Sequence, residues 1–95
     1  MTHTSHVIME EFLEKIKELE ESEIEASAYL SSFNERVIEI VMLADRLLID
    51  DNGHCNWEHI NFMKNSNYDV FPIEKDRFGW LIGGIQTSKG IIAYG

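Results

Sequence analysis

The apolar residues of this chain change period once, after Asn67. Before that point they recur every three or four positions; beyond it they alternate, interrupted by Gly and Pro. A period of 3.6 lays one face of a helix on a core, and a period of two lays one face of a strand on it. Ninety-five residues make a single domain, 1–95. Helices followed by strands in such a domain predict an α+β fold: two to three N-terminal helices and one short helix packed on a small C-terminal antiparallel β-meander.

Met9, Phe12, Ile16 and Leu19 step by 3, 4 and 3, a single seam that Ile8 and Leu13 widen. Thr4 or Ser5 is the expected N-cap of this first helix. Ser22-Glu23-Ile24-Glu25 and Ser32-Phe33-Asn34-Glu35 each read as a capping box. Residues 23–31 are then either a short helix or the end of a long first one. Phe33, Val37, Ile40, Ala44 and Leu47 form the strongest pattern. It predicts a central helix over 33–49 with Val37, Ile40, Val41, Ala44 and Leu48 buried. Asp50-Asp51-Asn52-Gly53 is a stop and a turn. A short helix over 57–65 follows, capped by Asn56, with Trp57, Ile60 and Met63 on one face. Tyr68, Val70 and Phe71 open a strand that Pro72 confines to an edge or a bulge. Glu74 to Arg77 is a charged connection. Phe78, Trp80 and Ile82 then alternate with Gly79, Leu81 and Gly83 in a second strand. Residues 86–90 make a hairpin turn, with Gly90 fit for positive φ, and 91–94 return as a third strand.

Charge divides along nearly the same line. Residues 1–51 hold thirteen of the seventeen Asp and Glu but four of the eight Lys and Arg, and carry the whole net charge of −9. An acidic helical half, 1–52, thus precedes a neutral, aromatic half, 53–95. Acidic domains repel phosphate backbones and attract basic proteins. Direct nucleic-acid binding is therefore disfavoured, and a protein with a basic surface is the expected partner. Glu14, Glu18 and Glu21 on the first helix are the candidate contacts. The simpler reading is that such a face keeps a small protein soluble. The first residues, MTHTSHVIMEEF, lack the pattern of a signal peptide. Apolar runs such as Ile40 to Ala44 are far too short to span a membrane. A lone cysteine, Cys55, rules out an internal disulfide and fits a reducing, cytoplasmic setting.

His54, Cys55 and His59 come nearest to a metal cluster. A closed zinc site needs four ligands, and the remaining histidines, His3 and His6, lie far away in sequence. No metal or cofactor is expected. Cys55 with His59 could make a nucleophile, but nothing marks an oxyanion hole. Glu58, Glu74 and Asp76 could serve as acid and base, though charges in a strand connection more simply discourage edge pairing. Gly79, Gly83 and Gly84 lack the Lys-Ser/Thr of a phosphate loop. A small hydrolase is the weaker reading, and a protein without catalytic residues the stronger.

A winged-helix regulator is the other alternative, with 57–65 as recognition helix and the 78–94 hairpin as wing. Its helix offers Lys64 as a single cation, where phosphate contacts need several. Trp80 is either a core filler or an interface anchor. The hairpin is apolar on both faces, with Phe78, Trp80 and Ile82 on one and Leu81 and Ile85 on the other. The helices can cover only one. Trp80, Leu81 and Ile85 are therefore candidate partner contacts, and a homodimer through the sheet is expected.

The stretch YDVFPIEKDRFGWLIGGIQTSKGIIAYG, Tyr68 to Gly95, resembles the C-terminal signature of small proteins of bacteriophages and integrated mobile elements. Its pieces are an aromatic-Asp-Val-Phe-Pro strand, an acidic-Lys-Asp link, Phe-Gly-Trp-Leu, Ile-Gln-Thr, and Lys-Gly before a terminal aromatic-Gly. The resemblance implies a biological setting and no catalytic residue. Small acidic proteins of that setting often bind and block host defence enzymes. It therefore implies an inhibitor of a host protein that handles nucleic acid.

Overall fold

A computed structural model describes residues 2–75 and 77–95, with side chains from Val7 onward. The elements run α1 (Thr2–Glu21), α2 (Glu35–Leu47), α3 (Trp57–Asn65), β1 (Val70–Lys75), β2 (Leu81–Thr87) and β3 (Gly90–Tyr94). The strands form one antiparallel sheet in the order β1-β2-β3. The helices pack on one of its faces, giving the α+β fold that the period change predicts. The Cα envelope measures 36 × 35 × 21 Å, thin enough for two layers.

The seam of α1 is buried as spaced, with Met9, Phe12, Ile16 and Leu19 all in the core. Val37, Ile40 and Ala44 of α2, with Leu48 just beyond it, meet them, and Val41 is half-buried. Ile60 and Met63 of α3 and Val70, Ile85, Ile92 and Tyr94 of the sheet complete the core. Trp57, expected beside Ile60, is instead half-exposed at the first position of α3.

Several boundaries differ from the sequence reading. Thr4 and Ser5 fall inside α1, and their side chains lie outside the described residues. Ser22 does not begin a helix but closes α1: its hydroxyl donates to the Leu19 carbonyl at 2.6 Å. Residues 23–31 are not helical but irregular, with one strand bridge at Tyr29. Leu30 N–H donates to the Ile91 carbonyl and Ile91 N–H to the Ala28 carbonyl, so Tyr29 pairs in parallel with Ile91 along the free edge of β3. Two missing edge-strand partners outweigh the weak helical preference of this alanine- and serine-bearing segment. Ser27 N–H also donates to the Lys89 carbonyl.

The cap of α2 is Asn34 rather than Ser32. Its side-chain oxygen accepts from the Arg36 and Val37 amides at 2.9 and 3.4 Å. That places Phe33 outside the helix and 94% exposed. The 50–53 turn forms as expected, with Asp50 Oδ1 accepting from the Asn52 and His54 amides. Asn56 caps α3 through the His59 amide at 3.3 Å. Asn67, at φ 69, ends α3 in the left-handed region. The Asn67 and Tyr68 amides bond back to the carbonyls of Lys64 and Met63, the 5→2 and 6→1 pair of a Schellman closure.

In the sheet, Pro72 sits in the edge strand β1, where the register slips between Phe71 and Glu74. This is the bulge that a proline inside a strand demands. The β2 strand begins at Leu81, opposite Lys75. Phe78 and Trp80 therefore belong to the preceding turn, not to a strand, and Gly79 takes φ 86 there. Thr87 pairs with Gly90 across a two-residue turn.

Candidate interaction surfaces

The chemistry-bearing residues separate rather than converge. Cys55 is half-buried and bridges Ile49 through the backbone. His59 turns away to α2, where its Nδ1–H donates to the Leu47 carbonyl at 2.6 Å. That hydrogen bond commits the ring nitrogen to a helix end. Among the described residues, no three His, Cys, Asp or Glu side chains come together as a metal site. The side chains of His3 and His6, and all of Asp76, lie outside the described residues. Glu58 and Glu74 are exposed on different elements. Gly83 lies under the Tyr94 ring: a Cβ built there would stand 2.5 Å from Tyr94 Cζ. The Tyr94 hydroxyl passes across β2 to donate to the Phe71 carbonyl at 3.1 Å. Burial first, then the nearby Cys55 and Asp45, push that phenol up to about 12. Gly83 thus accommodates packing against Tyr94.

The wing reading meets a specific obstacle. The β2–β3 turn folds back onto α1, where Glu20 holds it. Ser88 N–H donates to Glu20 Oε2 and the Tyr68 hydroxyl donates to Glu20 Oε1, both at 2.8 Å. A turn tied down at its tip does not project into a groove. The α3 helix still offers Lys64 against Glu58.

Two surfaces remain. The first surrounds the C-terminal end of α1. Glu14, Glu18 and Glu21 are all exposed, and at i, i+4 and i+7 they form one stripe. Lys15 Nζ lies 2.6 Å from Glu39 and ties α1 to α2. Beyond it, Glu21, Glu23 and Glu35 line an open cleft of about 780 Å³, together with Ile24, Asn34 and Arg36. Phe33 stands in the same lining. The spacing places this aromatic residue at the start of the central helix, and its true place follows from moving the helix cap to Asn34. The cap signal was present in the sequence, since Asn is as good a cap as Ser.

The second surface is the sheet face away from the helices. Phe71, Gly84 and Ala93 stand in one row across the three strands. Ile82, Gln86 and Ile91 share their face by alternation, and Tyr29, paired with Ile91, extends it. Phe71 and Ile82 are 43% and 50% exposed. Leu81 and Ile85 occupy the opposite face as expected, with different fates. Leu81 is about half exposed at the sheet's end, whereas Ile85 is fully buried under the helices. Ile85 therefore cannot touch a partner, correcting its assignment. Trp80 is 71% exposed in the β1–β2 turn, which excludes core filling. Arg77 lies over the Phe78 ring at 5.6 Å.

No helix among the described residues is long and apolar enough to cross a membrane. No protein-family model, curated protein or solved structure matches the chain.

Proposed function

We propose that this chain is a small acidic protein-interaction module: an inhibitor of phage or mobile-element type that binds and blocks a host protein with a basic surface. Its target would be a nucleic-acid-handling defence protein, whose phosphate-binding groove the carboxylates occupy in place of a nucleic acid. The observation that carries this reading is the cleft at the end of α1, where three glutamates and the fully solvated Phe33 share one lining. The carboxylates steer a basic partner and set its register. Phe33 supplies the apolar anchor that charge alone lacks. Inhibition on this reading is by occupancy, with no catalytic step.

Affinity capture from bacterial lysate, followed by titration of the captured protein, tests it. The expected partner is basic, is blocked stoichiometrically and dissociates as salt rises. The triple variant Glu14→Lys, Glu18→Lys, Glu21→Lys and the single variant Phe33→Ala should each weaken binding at least roughly tenfold, about 1.4 kcal/mol, while leaving the fold intact. A partner bound equally well by both variants, or with an affinity indifferent to salt, overturns the reading.

A further inference from the structure

We propose that residues 30–34 are a pre-organised mount for Phe33, with Ser31 and Gly90 as its positioning residues. The proposal rests on the cleft at the end of α1 being the partner site, and it names what readies that site for contact. Phe33 is 94% exposed, the most exposed large apolar side chain among the described residues. A ring left in water forfeits the free energy that its burial would supply. Yet the backbone that carries this ring is tied on both sides.

Ser31 Oγ accepts from the Phe33 amide at 3.2 Å, and the Ser31 carbonyl accepts from the Asn34 amide at 3.3 Å. Residues 31–34 thus close a four-residue turn with Ser32 and Phe33 at its centre. Downstream, Asn34 Oδ1 fixes the turn to the start of α2 through the Arg36 and Val37 amides. Upstream, the Leu30 amide donates to the Ile91 carbonyl at 3.0 Å, and the Leu30 side chain packs against the core.

Gly90 makes the upstream tie possible. Ser27 N–H donates to the Lys89 carbonyl at 2.8 Å and Ile91 N–H to the Ala28 carbonyl at 3.1 Å, one bond on each side of Gly90. A Cβ on Gly90 would overlap the Ser27 carbonyl oxygen and lie 3.5 Å from Leu30 Cγ. Any side chain there pushes residues 27–30 off the edge of β3, and the turn that follows them loses its footing. Hydrogen bonds in an exposed turn add little to stability one by one. Their effect falls on the ring: with the backbone at Phe33 fixed, only the side-chain torsions remain to be ordered on contact. A rigid mount spares a partner the cost of ordering the loop, worth roughly two- to tenfold in affinity.

Backbone amide relaxation of the full chain tests the mount without any partner, so its failure is separable from failure of the proposed function. The Phe33 amide should show an order parameter near the ~0.85 of rigid backbone, well above the ~0.6 that marks a flexible segment. Ser31→Ala should lower it toward the flexible value, and Ser31→Thr, which keeps the hydroxyl, should restore it. Gly90→Ala should loosen Leu30 and Phe33 together. Ile60→Ala removes a core contact of α3; it should lower stability and leave both amides rigid. Toward the protein captured by the wild-type chain, Ser31→Ala should bind roughly two- to tenfold more weakly. A flexible Phe33 in wild type, rigidity retained in Ser31→Ala or Gly90→Ala, equal loosening in Ile60→Ala, or equal binding by Ser31→Ala overturns the proposal.

Discussion

At Gly90, two requirements meet in one residue. Its φ of 143 suits glycine, and a Cβ there would overlap the Ser27 carbonyl oxygen. The turn explains only the first requirement; the second comes from the segment docked on β3. Gly90→Ala should therefore destabilise the fold by about 1–3 kcal/mol. It should also accelerate hydrogen exchange at the Leu30 and Ile91 amides, which pair across that seam. Unchanged exchange at both would show that the segment does not depend on this close approach. Glu20 is the second residue whose role lies in distant contacts. Burial opposes its ionisation, but bonds from the Ser88 amide and the Tyr68 hydroxyl outweigh that and hold it below its ordinary value of 4.5. The unfolded chain thus binds the Glu20 proton more readily than the folded one. The stabilisation is present above the ordinary value and lost as pH falls through the folded one. Tyr68 shows the counterpart effect: burial first, then Glu20, push its phenol up to about 12. Glu20→Gln should lower the thermal midpoint at pH 7 and flatten its decline below pH 4.5. Parallel acid profiles for the two proteins would remove Glu20 from the clasp.

At the scale of elements, α2 owes its position to a continuous buried face, not to its length. Ile40 is 1% exposed, between α1 and the sheet. Ile40→Ala should cost about 2–5 kcal/mol, read as a fall in the denaturant midpoint at constant slope. A midpoint equal to wild type would misplace the face. The register of α2 was only partly legible. Val37, Ile40, Ala44 and Leu48 declare the face by spacing, but Phe33 continues the same spacing into a position that is not helical. Periodicity cannot see where a cap interrupts it; only the Asn34 side chain bonding to the Arg36 and Val37 amides shows that. The second strand failed for a related reason. Phe78 and Trp80 alternate like strand residues, yet β1 ends opposite Leu81, and without a ladder partner the chain turns instead.

Taken whole, the molecule is a two-layer slab with its charge on the helical layer. Self-repulsion among the acids of residues 1–51 opposes compaction. Screening should relieve it, so the thermal midpoint should rise between low salt and 0.5 M NaCl, a concentration at which the Debye length is only about 4 Å. A midpoint that falls would mean that attractive pairs such as Lys15–Glu39 dominate the balance.

What the sequence alone determined is what local physics writes into it: the order of helices and strands, the buried seams of α1 and α2, the bulge at Pro72, the turn before Gly90 and the division of charge. Each depends on neighbours within a few positions. Tertiary structure decided the rest. Residues 23–31 stayed out of any helix because β3 had an open edge for Tyr29 to pair with. Ile85 went inside from the middle of β2, whereas Leu81, at the strand's first position, stayed half exposed. Phe33 came to share a cleft with Glu21, Glu23 and Glu35 because α1 ends beside the start of α2. These outcomes depend on which distant surface lies opposite, and no window along the chain contains that information.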